Sequence, residues 1–134
     1  MSLSDEDRRK LATLAQVMLP GGAGMSGASR LQLAHAPVDR VLHIEPALVP
    51  KLARFLTRVG IVGSLADIEA LAHEDSEGFK ALEVVLANAY FMHETVRGQI
   101  GYPGQEARDS SVGLDDRDLA LLEPVRARGR VWRG

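Results

Sequence analysis

The residues of this chain whose types could do chemistry are four histidines, a glycine-rich string, scattered serines and a few paired carboxylates. His35 and His43 flank Pro37, and the other two stand in His73-Glu74 and His93-Glu94. A helical metal site needs ligands at i and i+3 or i+4, so that both side chains face one ion. In His93-Glu94-Thr95-Val96-Arg97 an arginine occupies the place of the second histidine of HExxH. The residue three before His93 is Tyr90, so the Glu-x-x-His pattern of carboxylate-bridged di-metal sites is missing too. His93 falls on an apolar stripe and reads as a buried or half-buried histidine hydrogen-bonded to a neighbouring carbonyl.

Gly22-Ala23-Gly24-Met25-Ser26-Gly27 matches GxGxxG letter for letter. That string holds a dinucleotide only between a strand and a helix, because the helix N-terminus must meet the pyrophosphate. Here an amphipathic helix precedes it and no strand pattern follows, so it reads as a glycine-rich turn. Ser26 has no nucleophile-elbow context. Asp5-Glu6-Asp7 and Asp115-Asp116 read as charges at helix starts, not as an acid/base couple. We therefore expect no catalytic residue, no metal site and no cofactor-binding residue on this chain.

Composition narrows the classes further. At 134 residues the chain has room for one domain with one core. Its 16 Lys+Arg against 18 Asp+Glu argue against a dedicated nucleic-acid binder, which would be clearly basic. The absence of cysteine excludes disulfides, thiolate metal sites, Fe–S clusters and a cysteine nucleophile. No apolar run reaches the roughly 18–20 residues a membrane helix needs, and the acidic start has no apolar h-region.

The elements that must position these residues are helices. Ser4 with Asp7 is a capping-box signature, Leu11, Leu14, Ala15 and Met18 recur at helical spacing, and Pro20-Gly21-Gly22 stops the run, which predicts a helix over 5–19. Residues 20–36 read as an irregular loop, and 38–44 as a short helix. Leu48, Leu52, Phe55, Leu56 and Val59 form the stripe of a longer one, with Pro46 and Pro50 in its first turn or at a kink. Ser64 with Asp67 caps the next. One long central helix is expected from about 76 to 98, with Phe79, Leu82, Leu86, Ala89, His93 and Val96 on one face. Val84, Asn88, Phe91 and Thr95 form a second stripe, so neighbours should enclose this helix. Residues 114–123 suggest a short helix that Pro124 ends or kinks. The expected fold is all-α: a small irregular bundle of about five helices in a single domain, 1–134, with 99–113 a loop and 124–134 a C-terminal tail.

Two segments bear on partners. Gly101-Tyr102-Pro103-Gly104 sets an unusual chain path and presents one tyrosine, which either folds back on the helix or offers a contact aromatic. The tail, with Arg126, Arg128, Arg130, Trp132 and Arg133, reads as a solvated basic terminus or as an arm that docks on a partner. Binding to nucleic acid or an acidic membrane is a third reading, disfavoured because four arginines do not outweigh an otherwise acidic chain.

Three segments together resemble a known family: Leu11-Ala-Thr-Leu-Ala-Gln-Val-Met-Leu-Pro-Gly-Gly, Ala89-Tyr-Phe-Met-His-Glu-Thr-Val-Arg-Gly-Gln-Ile-Gly-Tyr-Pro-Gly-Gln, and Leu122-Glu-Pro-Val-Arg-Ala-Arg-Gly-Arg-Val-Trp-Arg. They are similar to the gluconate 2-dehydrogenase subunit 3 family, the small non-catalytic subunits of flavin-dependent sugar dehydrogenases. The resemblance implies a large FAD-dependent partner subunit of the glucose–methanol–choline type, with FAD and the catalytic histidines on that partner, and often a separate cytochrome subunit that accepts the electrons. This chain would bind, mature or stabilise the large subunit. The contact residues expected are Ile100, Gly101, Tyr102, Pro103, Arg128, Arg130, Trp132 and Arg133, together with the Gly21–Gly27 loop. Family members often begin with a twin-arginine export signal, and Arg8-Arg9 followed by Lys10 and a soluble helix is not one. The expected location is cytoplasmic as the sequence stands, or periplasmic if a partner carries the signal or one has been removed. The alternative is a stand-alone helical module that binds a small ligand or forms a homodimer.

Overall fold

Capping signals and apolar spacing place the first helices where the sequence puts them. In the computed structural model, which describes residues 2–107, 113 and 115–129, α1 spans Asp5–Met18. Ser4 Oγ accepts the Asp7 N–H at 3.1 Å, and the Asp7 carboxylate accepts the Ser4 N–H at 3.1 Å. Two donors left over at a helix start are thereby satisfied reciprocally. Helices α2 (Ala36–Ile44), α3 (Leu48–Arg58) and α4 (Leu65–Glu74) follow. Pro37 lies in the first turn of α2 and Pro50 in that of α3, where the missing N–H has no intrahelical partner to lose. Ser64 and Asp67 repeat the capping box on α4, and the Asp67 carboxylate also accepts the Gly63 N–H at 2.9 Å. The Gly63 N–H, then the Ser64 hydroxyl and N–H, hold this carboxyl below the ordinary aspartate range.

Among the described residues the fold is all-α, with seven helices and no strand. That exceeds the expected count of about five. The long helix expected over 76–98 does not exist as one piece. Helix α5 ends at Phe91, and α6 runs Glu94–Gln99. His93 takes an extended backbone (φ −68°, ψ 130°), and its Nδ1 accepts the Thr95 N–H at 3.2 Å, starting a new helix. Spacing alone cannot register such a break, because apolar residues continue at three and four on both sides of it. Helix α7 (Asp116–Arg128) stands where a short helix was expected over 114–123 and runs through Pro124.

Helix α5 is central, as expected, packing against α2, α3, α4 and α6, while α1 packs on α3 and α4. Leu11, Leu14, Val38, Leu52, Leu56, Leu82 and Val85 are completely buried between them. Each such side chain contributes roughly 1.5–3 kcal/mol relative to exposure. Phe55 and Phe79 meet edge to face at 6.3 Å, and a Cβ on Gly78 would stand 2.8 Å from the Phe55 ring, so only glycine permits this α3–α5 approach. The expectation that neighbours enclose α5 all round is corrected. Asn88, Phe91 and Thr95 of the second stripe are exposed and Val84 is half-buried, because α2, α3 and α4 cover the other side.

The described chain forms two compact units, divided between Gly104 and Gln105. Helices α1 to α6 belong to the first and α7 to the second. Within α7 the Asp115–Asp118 capping box is complete, yet no residue is buried.

Candidate functional site

The glycine-rich loop after α1 is closed backbone to backbone. The Ala28 N–H donates to the Leu19 carbonyl at 2.9 Å, and Gly22 and Met25 exchange both backbone hydrogen bonds at 3.0 and 2.9 Å. Ala23 and Gly24 between them have φ of 50° and 85°, the left-handed pair of a type I′ turn. At the loop base a Cβ on Gly27 would stand 2.4 Å from the Pro20 carbonyl oxygen, so only glycine fits there. The loop follows a helix, and a run of turns over 28–35 comes after it, so it lacks the strand–loop–helix frame of a dinucleotide site.

A polar clamp fastens this loop to the other end of the unit. The Ser26 N–H donates to Gln99 Oε1 at 3.0 Å, and Gln99 Nε2 donates back to Ser26 Oγ at 2.9 Å. The Tyr90 hydroxyl donates to the Ser26 carbonyl at 2.9 Å. Ser26 is 5% exposed and is the buried polar residue among the described residues; three hydrogen bonds meet its polar groups. The clamp joins two of the segments expected to touch a partner, Gly21–Gly27 and Ile100–Pro103, although they lie far apart in sequence.

The Ile100–Pro103 turn itself has a precise geometry. The Tyr102 N–H donates to the Arg97 carbonyl at 2.8 Å and the Gly101 N–H to the Gly98 carbonyl at 3.2 Å. With Gly101 at φ 67°, this is a Schellman ending of α6. Gly101 supplies the left-handed residue and Pro103 prevents continuation of the helix. Large apolar side chains are exposed on either side of α6: Phe91 is 56% exposed, Ile100 49% and Tyr102 50%. They flank α6, whose six residues span about 9 Å. Phe91 is further held edge to face on Tyr90, at 5.4 Å between ring centroids. Of the tail residues expected to touch a partner, Arg128 is exposed in the last turn of α7. Arg130, Trp132 and Arg133 lie outside the described residues.

His93 is half-buried, but among the described residues its side chain is not hydrogen-bonded to a carbonyl as expected: its Nδ1 is the acceptor of an amide N–H. It lines a cleft of about 330 Å³ with His35, Arg40 and Glu94. His35, His43 and His73 are exposed, and no group of three His, Asp or Glu able to hold a metal ion occurs among the described residues. Arg8 and Lys10 are structural tethers. Arg8 donates to the Ala34 carbonyl at 3.0 Å and to Asp39 at 2.8 Å, and Lys10 donates to the Leu56 carbonyl at 3.1 Å.

Sequence reasoning missed Gln99, read as the first loop residue, and missed Phe91, read as enclosed. The missing signal is tertiary: a glutamine that clamps a serine 73 positions away has no local pattern. Compared with models of known families, with characterised proteins and with solved structures, the chain matches none.

Proposed function

We propose that this chain is a non-catalytic small subunit that binds, matures or stabilises a large FAD-dependent sugar or polyol dehydrogenase. The resemblance of the three segments quoted above supplies the identity of the partner. The observation that carries the binding role is that Phe91, Ile100 and Tyr102, all about half exposed, lie within three residues along the chain of Tyr90 and Gln99, which the clamp to Ser26 holds in place. Large apolar side chains held on a rigid base suit a protein contact, because little conformational freedom is lost when they are covered. In this reading the oxidation chemistry and the FAD belong to the large subunit, a cytochrome subunit can join the same complex, and neither nucleic acid nor a membrane is a partner. No helix among the described residues is long and apolar enough to cross a membrane. We place the complex in the cytoplasm, or in the periplasm when the large subunit carries the export signal.

The test is to purify a tagged chain gently from its native host, recording the visible spectrum and the mass of whatever accompanies it. A much larger companion with flavin absorption is the expected result, and a colourless lone chain overturns the reading. Tyr102→Ala combined with Trp132→Ala is expected to weaken capture of the companion while leaving the far-UV circular dichroism of the chain nearly unchanged. Equal loss of both signals would remove these residues from the contact.

A further inference from the structure

Helix α7 buries none of its residues, yet Leu119, Leu121, Leu122 and Val125 are all exposed on it. At 100° per residue these four fall within an arc of about 160°, and Pro124 falls on the opposite face. A solitary helix of this length is marginal in water, and nothing in its own solvation explains four large aliphatic side chains on one side. The order of charges is equally marked. Asp115, Asp116 and Asp118 stand at the start, and Arg126 and Arg128 at the end.

We propose that α7 pairs antiparallel with α7 of a second copy of this chain, about a two-fold axis at Leu122. The spacing is self-complementary around that residue. Leu119 and Val125 are each three positions from it, so each meets the other across the pair, and Leu122 meets its own copy. Asp118 and Arg126 are each four positions from it, which places a carboxylate beside a guanidinium twice in the dimer. A parallel pair would instead set Asp against Asp and Arg against Arg, with the helix dipoles aligned. The order of charges along α7 also suits its own dipole, but the dipole gives no reason for the aliphatic stripe. A two-fold pair makes the same patch serve both copies, as isologous interfaces require.

The contact is small. A helix of 13 residues is about 20 Å long and falls well short of the roughly 800 Å² per partner of a standard interface. The dimer is therefore weak, concentration-dependent and loosened by salt.

The chain has no cysteine, so single cysteines report the pairing directly. On mild oxidation of the full chain, Leu122→Cys is expected to form a disulfide-linked dimer many-fold faster than Ala120→Cys on the opposite face. Equal rates, or no cross-link at either position, overturn the proposal. Sedimentation of two charge variants gives the orientation. Asp118→Arg and Arg126→Asp each juxtapose like charges and are expected to sediment as monomers, whereas an equimolar mixture restores the dimer, because each variant then supplies what the other lacks. A mixture that stays monomeric, with circular dichroism showing helical chains, rules out the antiparallel register. The self-pairing is independent of the flavoprotein reading. A lone chain without the α7 cross-link that still captures a flavoprotein removes only the self-pairing, and a cross-linking chain that captures none removes only the flavoprotein.

Discussion

Ser26 and the two side chains that hold it, Tyr90 and Gln99, fix the chain immediately before the exposed Phe91 and Ile100. Replacing Gln99 by leucine leaves the Ser26 N–H without its partner in a nearly dry environment, which costs about 1–3 kcal/mol. Tyr90→Phe removes one neutral hydrogen bond and costs about 1 kcal/mol. Tyr102→Ala, at a half-exposed position, changes stability by less than about 0.5 kcal/mol while weakening the proposed partner contact. Urea unfolding of the three variants should give that order, and a Tyr102→Ala loss as large as that of Gln99→Leu would show that the ring is part of the fold. Gly27→Ala forces a methyl group against the Pro20 carbonyl and is expected to lower stability by about 1–3 kcal/mol, with the midpoint of urea unfolding as the measure.

At the scale of elements, helix starts and stops account for most of what the backbone does. The α4 start depends on a charged Asp67. Its carboxyl is held below the ordinary aspartate range in the folded chain, so the cap stabilises above the unfolded-state value and is lost as pH falls through the folded one. Thermal midpoints of the chain and of Asp67→Ala should therefore differ at pH 7 and converge in acid, below about pH 4. A gap that persists in acid would mean that the charge is not what the cap uses. Helix α7 gives the opposite case, a helix weakened from within. Pro124 removes the hydrogen bond to the Ala120 carbonyl, and Pro124→Ala should raise helical circular dichroism, since proline is about 3 kcal/mol worse than alanine inside a helix. An unchanged spectrum would argue against a continuous helix through that position in solution.

Over the whole molecule, each unit carries large apolar side chains that are exposed: Phe91, Ile100 and Tyr102 on the first, and Leu119, Leu121, Leu122 and Val125 on the second. Co-expression with the companion enzyme is expected to raise the thermal midpoint of the chain, because anything that binds only the folded form stabilises it by mass action. A midpoint unaffected by a co-purifying companion would mean that the contact lies outside the folded units.

The sequence by itself determined the class and most of the element boundaries. Capping boxes at Ser4 and Ser64, the helix-start charges Asp115-Asp116, the Pro20-Gly21-Gly22 stop and the 3.6-residue spacing act within a few residues, so they are legible without a fold. The all-α architecture follows from them. Only the tertiary structure decided that the long central helix expected over 76–98 breaks at His93, that one side of α5 stays open, and that Gln99 closes on Ser26. These depend on which faces other helices leave uncovered and on hydrogen bonds between residues far apart in sequence. Such contacts are selected by packing in three dimensions and leave no local periodicity to read. The Gly101-Tyr102-Pro103 turn lies between the two cases: its need for a left-handed residue is written in the glycine, but the exposure of its tyrosine is set by the surrounding fold.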